Sequence, residues 1–182
     1  ALAKQIKAEL VVFHMLGLSQ MAYWKEDSEE LAFNYYKSLA KKKLKKFLDR
    51  DYLKGVKVSK IIQNYTIFSK INTKAQEQKI DLIVMGSHGT SLTSGFFVGS
   101  NTEKVVRTSE VPVLVIKKQM ADFKIRNAVF ACDFKMENME PYLEAIKMFD
   151  LLGAKVNLLY VNLPNERYKS TVEMEKLVRD FM

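Results

Sequence analysis

Three glycines and a serine, spaced Gly86-x2-Gly89-x9-Gly99-Ser100, are the residues of this chain best suited to chemistry. The first glycine ends an apolar run, Leu82 to Met85, and the last opens a helical pattern carrying Val105 and Val106. A glycine loop set between a strand and a helix N-terminus holds anions, because backbone N–H groups converge there and the helix dipole favours negative charge. Gly86 stands where the chain must turn directly off the strand and a β-carbon would crowd a ligand; Gly89 lets the backbone bend back. Ser100, Asn101 and Thr102 add side-chain oxygens and backbone donors, and one of them is the expected N-cap. Glu103 falls in the first turn, where an acid suits the dipole. No lysine completes a GxxxxGK[ST] pattern, so a Walker-type phosphate loop is excluded. Ser87 and His88 are adjacent and point apart, which reads as a polar loop pair and not as a hydrolytic couple.

The loop needs strands and helices to position it. Val111 to Ile116, with Pro112 inside, is the strand that follows it. Upstream, Leu10 to Leu16 is a continuous apolar run of strand length, as suits a parallel strand covered on both faces. His14 near its end reads as structural. Residues 17–28 form a loop around Trp24, with Asp27 and Ser28 as helix caps. The spacing of Leu31, Tyr35, Leu39, Leu44, Phe47 and Leu48 predicts a helix over 29–53, stopped by Gly55. Residues 56–63 read as an edge strand and 66–78 as a helix with Ile67, Ile71 and Ala75 on one face. After Lys118 the pattern restarts. Asn127 to Asp133 is a strand ending in Asp, 136–152 a helix (Leu143, Ile146, Phe149, Leu152) closed by Gly153, and 155–162 a strand. Residues 170–182 are a helix with Val172, Leu177, Val178 and Phe181.

The glycine spacing, bracketed by DLIVMGSHG and VPVLVIK, resembles the universal stress protein family. The resemblance implies an α/β fold, an open parallel, Rossmann-like sheet that in one branch of the family holds ATP, with or without Mg, on this loop. Carried over by position, Met85 and Gly86 border the adenosine and Met15 contacts the adenine. Gly89, Gly99, Ser100 and Thr102 hold the phosphates, with Ser87, His88 and Asn101 beside them. The family also places an Asp at the end of its first strand, reaching the ATP. The matching residue here is Asp133, in the second part of the chain. A homodimer or an intramolecular pseudo-dimer is the assembly the resemblance implies. It further implies a regulatory protein of the stress response, not an enzyme. The alternative is a scaffold or dimerisation module of the same fold that binds no nucleotide, pairing through Val111 to Ile116.

Segments 6–15 (IKAELVVFHM) and 153–162 (GAKVNLLYVN) each carry a helix end into an apolar strand, as an internal repeat would. The chain then reads as a tandem pair: 1–118, a first module lacking its opening strand, and 119–182, the beginning of a second. The resemblance implies a strand order 3-2-1-4-5, so the absent strand 1 would be central, and its absence leaves two broken edges. Either further residues precede Ala1, or the strand at 127–133 fills the gap.

With 182 residues and 48% apolar content, the chain has enough material for one large or two small domains. Its formal charge is +8, and much of that excess lies in Lys41-Lys42-Lys43-Leu44-Lys45-Lys46. This run reads as the solvated face of a helix, since no helix-turn-helix, RNA-binding aromatic motif or zinc spacing makes a nucleic-acid partner of it. Cys132 alone can form no intramolecular disulfide and reads as an inert buried thiol, which fits a reducing, cytoplasmic setting. No apolar stretch approaches the ~20 residues of a membrane span, and ALAKQIKAEL is no signal peptide. No metal site is expected.

Overall fold

The computed structural model describes residues 2–16, 26–63, 69–87, 99–118, 123–164 and 168–182. They follow in the order α1 (Leu2–Gln5), β1 (Leu10–Met15), α2 (Glu26–Leu48), β2 (Val58–Gln63), α3 (Ser69–Glu77), β3 (Ile83–Gly86) and α4 (Ser100–Thr108). Then come β4 (Val113–Ile116), β5 (Asn127–Ala131), α5 (Met139–Leu151), β6 (Lys155–Leu159) and α6 (Thr171–Phe181). The chain forms two compact units, one of residues 8–121, the other of residues 1–7 with 122–182.

This is an α/β protein whose described strands pair only in parallel. The unit at 8–121 holds β1–β2, in register from Leu10 opposite Val58 to Met15 opposite Gln63. It also holds β3–β4, from Ile83 opposite Val113 to Gly86 opposite Ile116. A parallel pair cannot close through a tight hairpin and needs a crossover; α2 supplies it for the first pair and α4 for the second. Among the described residues no ladder joins β1 to β3. Among the described residues the strands of this unit therefore pair as two two-stranded pieces. In the other unit β5 pairs with β6, from Asn127 opposite Lys155 to Ala131 opposite Leu159.

The inner surface of α2 differs from the one expected. Leu31, Tyr35 and Phe47 are 73%, 60% and 61% exposed, whereas Ala32 and Ala40 are buried. The inward row is Ala32, Tyr36, Ala40, Leu44 and Leu48, at steps of four. Small residues there let the helix lie close to its neighbours, and the larger apolar residues fall on the flanks. The helix starts at Glu26, so Asp27 and Ser28 lie in its first turn instead of capping it, and it ends at Leu48. A 3₁₀ turn, Asp51–Leu53, follows. Gly55, at φ +82°, turns the chain after that. β1 is half-buried along its length with His14 exposed, not covered on both faces, so the structural role expected for His14 does not hold. The loop around Trp24 and the start of the 66–78 helix lie outside the described residues.

The other unit is a β5–α5–β6 crossover with α6. Its core is aromatic: Phe134 stacks on Tyr160 with ring centroids 5.8 Å apart. Phe181 meets Phe134 edge-on at 5.6 Å and lies tilted against Tyr142 at 5.3 Å. Phe181 is 1% exposed. Phe134 has φ +56°, a left-handed conformation that costs a non-glycine residue about 1–2 kcal/mol. Burying its ring offsets that by about 1.5–3 kcal/mol. Residues 136–138 form a 3₁₀ turn before α5. Leu143 and Val172 point to solvent, not to the apolar faces expected of their helices, while Leu152 is buried. Gly153 closes α5 at φ +65°, with the Ala154 amide donating back to the Phe149 carbonyl at 2.9 Å. Helix α3 ends the same way with a lysine in the glycine's place. Lys79 has φ +50°, and the Ile80 amide reaches the Ala75 carbonyl at 2.8 Å. Cys132 is half-buried, not buried, directly after β5.

Candidate functional site

Burial of one helix face decides where α4 lies. Val105 is fully buried and Thr102, one turn earlier on the same face, is 5% exposed. Val106, grouped with Val105 by sequence, is 47% exposed, because successive helical residues point about 100° apart. The far end of α4 is tied to α3 by the Asn72 Nδ2 donor on Thr108 Oγ1 at 2.8 Å. These contacts fix the helix so that its N-terminus sits at the C-terminal end of β3.

Two hydrogen bonds make that junction. Thr102 Oγ1 donates to the Gly86 carbonyl at 2.8 Å, and the Gly99 amide donates to the Ser87 carbonyl at 2.7 Å. The Ser87 amide in turn donates to the Ile116 carbonyl at 3.0 Å, extending the β3–β4 ladder by one residue. Both ends of segment 88–98 are thus anchored to the same strand end. His88 and Gly89 lie within that segment, outside the described residues.

The N-cap of α4 is Gly99, with no side-chain cap bond; none of Ser100, Asn101 and Thr102 takes that role. The reason is that Ser100 already begins the helix, and the Thr102 hydroxyl is committed to Gly86. The intrahelical ladder begins with the Glu103 amide on the Gly99 carbonyl at 3.0 Å, so the amides of Ser100, Asn101 and Thr102 have no acceptor within the helix. Ser100 and Asn101 are exposed. The acid nearest these donors, Glu103, is paired with Arg107 (Nε to Oε1, 3.0 Å) one turn further along. Its charge is therefore partly balanced away from the helix start. Amides with no acceptor among the described residues, on a positive helix end with the neighbouring carboxylate paired to Arg107, suit an anion.

Met85, Gly86, Ser87, Gly99, Ser100, Asn101 and Thr102 come together at this junction. Met15 ends β1, opposite Gln63, in the other two-stranded piece of the unit. Asp133 belongs to the second unit and is occupied locally. Its Oδ1 accepts from Asn138 Nδ2 at 2.7 Å, and its Oδ2 pairs with Lys135 Nζ at 2.8 Å. The Lys135 side-chain hydrogen bond holds the carboxyl below its ordinary value. Thr102 shows what sequence reasoning missed: its side chain is a structural tie, and only its amide is open. The signal was present, since a hydroxyl three residues past an N-cap glycine and on the buried face must find an internal acceptor. Among the described residues no group of three His, Cys, Asp or Glu could hold a metal, and no helix is long and apolar enough to cross a membrane.

Parallel strand, anion-ready helix N-terminus and returning parallel strand define an α/β protein of the Rossmann-like class. The Universal stress protein family matches residues 1–117, and the chain belongs to that family. It is 30% identical over 116 residues to Universal stress protein MJ0577 of Methanocaldococcus jannaschii, covering 64% of this chain and 72% of that protein. It is also 30% identical over 124 residues to Universal stress protein YxiE of Bacillus subtilis, covering 64% and 84%. The solved structure of MJ0577 superposes with a TM-score of 0.54 over 63% of this chain and 78% of that one. A putative universal stress protein from Pseudomonas aeruginosa, 16% identical, matches in fold over 99% of this chain and 60% of its own, with a TM-score of 0.57.

Proposed function

We propose that this chain is a regulatory module of the stress response that binds ATP, or another adenine nucleotide, at the junction of β3 and α4. The observation that carries this reading is the open start of α4. The amides of Ser100, Asn101 and Thr102 are held at the end of β3 by the Thr102–Gly86 and Gly99–Ser87 bonds. In this reading the phosphates lie on those amides and on the Gly86-x2-Gly89 turn, with Ser87 and His88 beside them. Met85, and Met15 of the neighbouring strand pair, face the base. The protein acts by carrying nucleotide and not by turning it over, in a cytoplasmic setting, as a dimer or as a tandem pair of modules.

The second reading is a scaffold of the same fold without nucleotide. It is favoured by Asp133, the residue whose family counterpart reaches the ATP, being engaged by Lys135 and Asn138. Calorimetric titration of ATP into the chain and into its Gly99→Val variant tests the two. Saturable binding weakened at least about tenfold by the substitution supports the nucleotide reading. A folded chain that binds no ATP establishes the scaffold.

A further inference from the structure

The lysines of the α2 run are all exposed, but they do not all face the same surroundings. Lys37, Lys41 and Lys45, at steps of four along the helix, line one cavity of about 560 Å³ together with Lys60, Ile61 and Ile62 of β2. That volume lies in the range of small-molecule sites, roughly 300–1,000 Å³. Four lysines from two elements thus line one open concavity, together with Ile61 and Ile62. Lys37 is steadied over the Phe33 ring, 5.0 Å from its centroid. Lys41, Lys45 and Lys60 make no ion pair among the described residues. Nor does the sequence provide a balancing acid along the helix: between Glu30 and Asp49 it holds six lysines and no carboxylate. Lysines that serve only solubility are commonly interleaved with acids at steps of four, where each pair stabilises the helix.

We propose that this α2–β2 cavity is a second anion site, distinct from the β3–α4 junction, and that it takes a small soluble polyphosphate. A chain of linked phosphates carries several negative charges in one compact ligand, matching the four cations. Lys is a point-charge phosphate donor on a flexible stem and so tolerates a range of chain geometries. A concave site with converging donors suits a small ligand better than a nucleic acid duplex, whose phosphates are tracked by an extended basic surface.

The probe is inorganic tripolyphosphate, titrated calorimetrically into the whole chain at low salt and again at about 0.2 M, where exposed charges are more strongly screened. Saturable binding is expected, weakened about tenfold or more in the Lys41→Gln/Lys45→Gln/Lys60→Gln variant. Binding at this cavity should persist in Gly99→Val, which separates the cavity from the nucleotide junction. The Lys42→Gln/Lys43→Gln/Lys46→Gln variant also removes three charges, all from α2 and none from the cavity lining, and should bind as the parent does. Equal loss in the two triple variants would reduce the effect to net charge and overturn the proposal. So would unchanged binding in the first variant, loss in Gly99→Val alone, or no binding by the parent chain. Vesicles of phosphatidylcholine carrying phosphatidylinositol bisphosphate supply the lipid-borne form of the same chemistry. Pelleting with these vesicles in the absence of tripolyphosphate binding would also overturn a soluble ligand.

Discussion

Helix α6 begins on a serine whose neighbours close its first turn, and α4 begins on a glycine that offers no side chain. At α6 the Ser170 amide and hydroxyl both donate to Glu173 Oε2, at 2.8 and 2.7 Å. The Glu173 amide returns to Ser170 Oγ at 3.4 Å. This reciprocal arrangement satisfies two of the donors that a helix start would otherwise expose. At α4 the same positions carry Gly99 and Thr102, and Thr102 turns its hydroxyl down onto β3 instead of back onto the cap. One terminus is finished by its own sequence; the other is tethered from beneath and left open above. That difference is the one on which the proposed nucleotide site rests.

Substitutions at the two helix starts test this difference. The largest effect is expected from Thr102→Val, which leaves the Gly86 carbonyl without its donor and should cost about 2 kcal/mol in urea denaturation. It should weaken ATP binding as well, because α4 is no longer held at the strand end. Ser170→Ala removes the closed cap and should cost about 1 kcal/mol without changing ATP affinity, measured on the same samples. Gly99→Ser gives α4 a capping side chain like that of α6. Stability should rise by only a few tenths of a kcal/mol, while ATP affinity falls because the new hydroxyl competes for the open amides. A Gly99→Ser chain that bound ATP more tightly would contradict the role given to those amides.

The smallest effect is one of pH. The Ser170 side-chain hydrogen bond, then its backbone amide, holds Glu173 below its ordinary 4.5. Because the folded value is depressed, the bond's contribution is fully present above 4.5 and is lost as pH falls through the lower, folded value. Carboxyl chemical shifts of Glu173 should therefore titrate below 4.5, and should move back toward it in Ser170→Ala.

Much of this was legible in the sequence. Apolar runs of strand length located β1, β3, β4 and β5 because parallel strands use continuous hydrophobic stretches. Gly86 and Gly99 marked the end of β3 and the start of α4, because a chain turning off a strand into a helix favours glycine there. The inward row of α2 was not legible, since Leu31, Tyr35 and Phe47 advertise a face by hydrophobicity while Ala32 and Ala40 hold it by small size. The tie from Thr102 to Gly86 and the cavity lined by both Lys60 and the α2 lysines join residues distant in sequence, and no local periodicity encodes them. The cap at Ser170 was written openly as Ser-x-x-Glu, a pattern that names its bonds as well as its helix start.

The pairing of strands has a consequence for how the chain opens. Each ladder joins strands consecutive in the chain, β1 with β2, β3 with β4, β5 with β6, and each pair is bridged by a single helix. Among the described residues no ladder carries cooperativity from one crossover to the next. Amide exchange should therefore resolve three classes of protection, one for each crossover, instead of a single global opening. If the proposed nucleotide site is the β3–α4 junction, nucleotide should slow exchange in the second class first, so that the β3–α4–β4 crossover would report its own occupancy.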